Sequence, residues 1–403
     1  MLTYEKQQQL REVCKLAVSK KRIKPLMGEV MNACKDLVPT HRFSLWIDGP
    51  YPYTIATMVG HGLEQPIIID SSTGIAGACM RLNEDLYTDD AYNNKHFNCN
   101  SDHGIGYVTR SVSCHVVSSR DNVPVAVLQA INRINDVGEE IYIPCEERTI
   151  KVIPFSEEDR FLLSEVASFL GIAIENAQLL SSQESFTRNL CLLLADVVDK
   201  RDGVTGAHTR SVIDISVAIA SELTLSKKEI KIIEMEAALH DIGKVGIPDN
   251  VLNFPGKLSP ADWNMMMGHA LEGRKLLSGF QWPPHLVRVP YESTAHHERL
   301  NGKGYPDGLS GKREEVAEGG IPLSVRIIAV ADVFDALTQL RPYKNTMNPQ
   351  DAIGICKTSV PHEFDADVVG ALSGLLERYK FNMLLIRDLA KNIRAGLYSD
   401  LFN

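Results

Sequence analysis

The chain has 403 residues, 44% of them hydrophobic and 23% charged, which places it among soluble globular sequences long enough for two cores. Its formal net charge of -9 excludes the broad basic surface that polymeric DNA or RNA requires, but not a small phosphorylated ligand held by a few cations. No apolar run reaches the length of a bilayer span, and eight cysteines without CxxC spacing argue against a disulfide framework or a thiolate zinc site.

In chain order, Met1 to Glu12 carry charges and glutamines where a secretion signal would be apolar, so a cytoplasmic protein is expected. Leu10, Val13, Leu16 and Ala17 are spaced as on an amphipathic helix. From Phe43 to about Asn135 the texture changes. Phe43–Ile47, Pro66–Ile69 and Pro124–Ile131 read as strands separated by Gly, Asn and Asp turns. Ser156 then caps a long helix with acids in its first turn. Leu163, Val166, Leu170, Ala173, Ala177 and Leu180 follow three-four spacing on it, which suits either a two-stranded seam between copies or a helix packed on its own domain. After Ser181–Glu184 the pattern is helical. The expected organisation is an N-terminal helix over 1–24, a sheet domain with its exit helix over 25–180, a connecting helix over 181–198 and an all-α domain over 199–403.

Seven residues of the second half stand out: His208, the pair His240-Asp241, His269, the pair His296-His297, and Asp332. Imidazole and carboxylate together suit iron, manganese, nickel or zinc better than magnesium or calcium. Adjacent residues on a helix point about 100° apart, so one pair can address two metals. A carboxylate can bridge two cations where a neutral imidazole cannot, which singles out Asp241. Two metals about 3.5–4 Å apart can hold a bridging hydroxide and clamp a phosphodiester for in-line attack. Any one of these histidines alone would be read as a solvated or core residue, and His285, His362 and the five histidines of the first half keep that reading.

His240-Asp241-Ile242-Gly243-Lys244, His296-His297-Glu298, Gly302-Lys303-Gly304-Tyr305-Pro306 and Val330-Ala331-Asp332-Val333-Phe334-Asp335-Ala336-Leu337-Thr338 resemble the signature of the HD-GYP branch of the HD phosphohydrolases. Arg341-Pro342-Tyr343-Lys344 continues the match, which runs from about Asp199 to beyond Asp365. The resemblance implies a helical domain that linearises cyclic di-GMP or 3',3'-cyclic GMP-AMP with a pair of transition metals, iron foremost and manganese or nickel as alternatives. It implies that the seven residues are the metal ligands, with Asp241 and Lys244 catalytic. It also implies that Lys244, Tyr305, Arg341 and Lys344 contact substrate, that Asp202, Thr205 and Asp335 support the ligands or start helices, and that a GGDEF-type cyclase could dock at the GYP loop. The chain departs from the family's pattern in three places. Val204 replaces the glutamate that holds a third metal, so two metals are expected; Asn301 replaces an aspartate; and Lys312–Gly320 lengthens a loop, read as an inert surface insertion.

Gly74-Ile75-Ala76-Gly77, Asp89-Asp90-Ala91-Tyr92, Phe97-Asn98, Thr109-Arg110-Ser111 and Leu128-Gln129-Ala130-Ile131-Asn132-Arg133 resemble a GAF domain of the cyclic-nucleotide phosphodiesterase type over roughly 25–180. The resemblance implies a central antiparallel sheet with flanking helices, a small-molecule pocket involving Asn132, Phe155 and Asp159, and a homodimer through this domain and the connecting helix. Arg133, Ile134 and Arg160 break its nucleotide-binding pattern, leaving an empty, dimerising or ligand-holding domain as alternatives, and His61, His96, His103 and His115 leave haem or iron open.

The sequence thus predicts a GAF-regulated cyclic dinucleotide phosphodiesterase. Two alternatives are a non-catalytic dinucleotide receptor signalling through the GYP loop and an HD hydrolase of mononucleotides. Arg341 and Lys344 favour the dinucleotide.

Overall fold

The computed structural model describes residues 3–17, 23–60, 65–201, 208–312, 319–339 and 346–398, and the chain divides into two compact units that meet at Gln183/Glu184. No helix among the described residues is long and apolar enough to cross a membrane.

The first unit opens with two helices where the sequence suggested one, α1 (Tyr4–Ala17) and α2 (Ile23–Leu37). There follow β1 (Thr40–Asp48), β2 (Thr54–Gly60), β3 (Ile68–Asp70), α3 (Gly74–Leu82), β4 (Leu86–Thr88), α4 (Cys99–Ile105), β5 (Val112–Ser118), β6 (Pro124–Ile143), β7 (Arg148–Ile153) and α5 (Glu157–Arg201). The strands form one antiparallel sheet in the order β3-β2-β1-β6-β5-β4, with β7 paired to β6. Strand alternation sorts its faces. Phe43, Leu45, Leu128 and Ala130 point to one side and pack with Val30 and Met31 of α2 and with Leu163, Val166 and Leu170 of α5. Trp46, Val112, Cys114 and Val127 point to the other and pack with Ile75 and Cys79 of α3. This is the helix-flanked antiparallel sheet implied by the GAF resemblance.

Ser156 caps α5 reciprocally with Asp159: the Asp159 N–H donates to Ser156 Oγ at 3.1 Å, and the Ser156 N–H donates to Asp159 Oδ2 at 3.0 Å. The expected seam is corrected for its first half. Leu163, Val166 and Leu170 are consumed by the core of their own unit, whereas Leu180 is 64% exposed. Cys34, Cys79, Cys114, Cys191 and Cys356 are buried, and all eight cysteines are free thiols.

Among the described residues the second unit holds the end of α5 and ten further helices: α6 (His208–Glu222), α7 (Lys227–Leu239), α8 (Asp249–Leu252), α9 (Pro260–Met267), α10 (His269–Ser278), α11 (Val289–Glu292), α12 (Leu323–Thr338), α13 (Pro349–Thr358), α14 (Ala366–Arg378) and α15 (Met383–Tyr398). α6 and α12 are apolar on nearly every side and form its centre, Val212 to Ala220 against Ile327, Ile328, Val330 and Phe334. α7 is started by a full capping box between Ser226 and Glu229.

Candidate metal centre

The helical unit delivers the seven residues from the ends of its elements. His208 is the first residue of α6, His240 terminates α7 with Asp241 next, His269 is the first residue of α10, and His296-His297 follow the turn Ser293–Ala295. Only Asp332 sits inside a helix, α12. The turn Ile242–Gly246 after Asp241 lies against the start of α10, because Gly243 presents no side chain to the His269 carbonyl.

The side chains converge. Ring centroids lie 5.4 Å apart for His208 and His240, 4.8 Å for His240 and His296, and 5.1 Å for His269 and His297. Asp241 is central. Its Oδ2 lies 3.2 Å from His240 Nε2 and 3.6 Å from His208 Nε2, while its Oδ1 lies 3.4 Å from His269 Nε2 and 4.0 Å from His296 Nε2. Asp332 Oδ1 lies 3.4 Å from His208 Nε2. His208, His240 and Asp332 offer donor atoms within 4.8 Å of one another, as do His269, His296 and His297. The two groups flank the two oxygens of Asp241.

Backbone geometry sets the tautomers. Nδ1 of His240 is 2.7 Å from the Ala237 carbonyl, Nδ1 of His269 is 2.7 Å from that of Met266, and Nδ1 of His296 is 3.0 Å from that of Ser293. A carbonyl only accepts, so each Nδ1 carries the proton and each Nε2 keeps its lone pair. All three Nε2 atoms are buried without a hydrogen-bond partner. Such orphaned acceptors are rare in a folded interior, and a cation between them would complete all three. Asp335, one turn after Asp332, lies 2.6 Å from His208 Nδ1.

Electrostatics agree. Burial by itself would raise the Asp241 carboxyl, but Lys244 at 2.7 Å and His240 hold it well below the usual carboxylate range. Burial, reinforced by neighbouring imidazoles, keeps His297 well below its ordinary value and His296 down to about 3. Burial also lowers His269, whereas His208 and His240 go the other way: burial opposes their charge, yet Asp241 and Asp335 carry His208 up to about 10, and Asp241 raises His240. Two carboxylates held anionic beside five imidazoles, two of which would give up a proton to a cation, form a donor set that fits divalent transition metals.

Tyr305 stacks on His297 with centroids 4.5 Å apart. Its loop is organised by a residue to which the sequence assigned no task, Glu298, whose carboxylate accepts from the N–H groups of Asp307, Gly308 and Leu309 at 2.7–3.1 Å. Its place directly after the histidine pair was the available signal. Asn301 accepts from the Lys303 N–H at 2.9 Å, an ordinary turn bond. Asp202, Val204, Thr205, Arg341, Lys344 and most of the 312–320 loop lie outside the described residues.

In the first unit a cavity of about 380 Å³ is lined by Ser44, Trp46, Ile75, Phe97, Tyr107 and Gln129 among others, and Asn132, Phe155 and Asp159 are absent from its walls. That expectation is corrected. Asn132 bonds Val108 and Arg110 across the sheet, Phe155 packs in the core, and Asp159 pairs with Arg133 at 3.1 Å. Among the described first-half histidines none joins a metal-binding group: His41 contacts Tyr107 and Glu146, while His115 bonds Asp85 and Ser113; His61 lies outside the described residues.

A helical bundle presenting histidine and aspartate from helix ends defines a metal-binding class. Residues 192–368 match the HD domain family, and the second unit carries an HD domain. The chain is 40% identical over 212 residues to a cyclic di-GMP phosphodiesterase response regulator of Xanthomonas campestris, covering 52% of this chain and 54% of that protein. It is 38% identical over 191 residues to 3'3'-cGAMP-specific phosphodiesterase 2 of Vibrio cholerae, covering 47% and 35%. The chain thus spans about a third to a half of these relatives' length. Among solved structures, a GAF domain from an Acinetobacter phosphoenolpyruvate-protein phosphotransferase aligns with 45% of this chain and 99% of its own at 15% identity and a TM-score of 0.36. A cyclic GMP-AMP phosphodiesterase of Vibrio cholerae aligns with 52% and 54% at 18% identity and 0.38.

Proposed function

We propose that this protein is a metal-dependent phosphodiesterase that opens a cyclic dinucleotide, cyclic di-GMP or 3',3'-cyclic GMP-AMP. The observation that carries the reading is the clustering of five imidazoles and Asp332 around Asp241, with four of the imidazoles within 4.0 Å of its two oxygens. His208, His240 and Asp332 would hold one divalent cation, His269, His296 and His297 a second, and Asp241 would bridge them. Such a pair supplies Lewis acidity and an acidified water for in-line attack at phosphorus. The chain's own groups do the rest. The backbone carbonyls and Asp335 hold the imidazoles of His208, His240, His269 and His296 in the tautomer that presents a lone pair. Lys244 balances Asp241 and offers a cation to a phosphate oxygen, and Tyr305 walls the site beside His297. Iron is the first candidate, with manganese or nickel as alternatives; the two named relatives support the substrate class.

A regulatory GAF-type unit and a homodimer complete the reading. For the dimer, Leu179, Phe186 and Leu193 are exposed on α5 at seven-residue intervals.

Incubating metal-loaded protein with each dinucleotide and separating products by chromatography tests the function. A linear dinucleotide or mononucleotides are expected. Retention of intact ligand would replace the enzyme by a receptor, and indifference to both dinucleotides would refute the reading.

A further inference from the structure

Arg299 follows the His296-His297 pair and carries a guanidinium that nothing above uses. Its Nη1 donates to the carbonyl oxygens of His296 at 3.1 Å and Glu298 at 2.8 Å, and its charge centre lies 5.2 Å from the Phe364 ring. The side chain is half-buried and lies close enough to Asp332 and Glu363 for their charges to act on it. Arg387 of this unit reaches only the Ser211 hydroxyl, at 3.1 Å, but three other sheltered arginines each meet a carboxylate. Arg188 reaches Glu234 at 2.7 Å, Arg274 reaches Asp307 at 2.7 Å, and Arg326 reaches Asp365. Among the described residues Arg299 has no such partner within ion-pair distance, and only its Nη1 is hydrogen-bonded.

A half-buried guanidinium that makes no direct ion pair and leaves two nitrogens unbonded can still take an anion. A phosphodiester oxygen is suited to the N–H groups left on Nε and Nη2. We propose that Arg299 binds a phosphate oxygen of the dinucleotide, so that the substrate is held by Lys244 beside Asp241 and by Arg299 on the Asp332 side. This rests on the phosphodiesterase reading. The two bonds to backbone carbonyls pre-orient the guanidinium, so little freedom is lost when substrate arrives.

The test compares the full-length, metal-loaded wild type with Arg299→Ala, Arg299→Gln and Arg299→Lys on whichever dinucleotide is turned over. Removing the charge should raise KM about tenfold or more while kcat changes far less. Metal content by elemental analysis and the melting temperature should stay at wild-type values, and Arg299→Lys should recover part of the affinity. An unchanged KM in both the Ala and Gln variants, with an active wild type, overturns this proposal alone. Loss of metal in the Gln variant overturns it in favour of a role in fixing the ligand loop. A wild type inert toward both dinucleotides removes the functional reading and this proposal with it.

Discussion

At Gly243 a single methyl group would meet the His269 carbonyl oxygen at 1.8 Å and the Gly273 nitrogen at 2.4 Å. The glycine is therefore a packing requirement of the turn that carries Asp241 onto α10. We expect Gly243→Ala to cost about 1–3 kcal/mol by overpacking and to reduce bound metal, which calorimetry and elemental analysis would register. Asp335 acts on the opposite side, through Nδ1 of His208. Asp335→Asn keeps the shape but removes the charge, so metal affinity should fall about 10–100-fold with little change in fold, as read by chelator competition. Arg299 is assigned to substrate rather than to the ligands, so its loss should leave metal content intact, whereas Lys244 also pairs with Asp241 at 2.7 Å.

At the scale of elements, α7 meets α11 and α12 through a buried carboxyl pair. Glu236 is fully buried; burial first, and then the Glu292 carboxyl, push it well above the usual carboxylate range, while Ser324 donates to Glu292 at 3.1 Å. Folded Glu236 therefore keeps its proton at pH values where the unfolded chain has released it. Its stabilising contribution is complete below the unfolded pKa of about 4.3 and declines as pH rises toward the folded value, by up to about 1.4 kcal/mol per pH unit. Urea titrations at several pH values should show Glu236→Gln gaining on the wild type as pH increases; parallel curves would contradict the assignment. At the other end of α7, the Ser226 hydroxyl accepts from the Glu229 N–H at 3.3 Å and holds the Glu229 carboxyl below its ordinary value, so Ser226→Ala should cost about 1 kcal/mol at neutral pH and less in acid.

For the molecule as a whole, all seven proposed ligands belong to the second unit and none to the first. A metal that binds only the folded second unit stabilises that unit alone, by mass action. Calorimetry should show added manganese or iron raising one transition and a chelator lowering it. Trp46 lies in the first unit and Trp263 and Trp282 in the second, so fluorescence of single-tryptophan variants can assign the transitions. A shift of both transitions would contradict separate cores.

The sequence alone determined the two-part organisation, the helical character of the second half and the identity of the seven residues that converge, because ligand chemistry permits few residue types and those came in tight pairs and ordered motifs. It was less informative about the first unit. β2, β4, β5 and β7 have weak local signals, and the pocket walls come from segments as distant as Ser44 and Gln129. The α5 face was ambiguous because three-four spacing marks a helix stripe without naming its partner, and only packing showed Leu163, Val166 and Leu170 buried in their own unit. Tertiary structure alone decided which imidazole nitrogens are left unpaired, which oxygen of Asp241 faces which histidines, and that Arg299 meets no carboxylate among the described residues. These are relations between atoms far apart in the chain, set by how helix ends meet, and local sequence does not encode them one residue at a time.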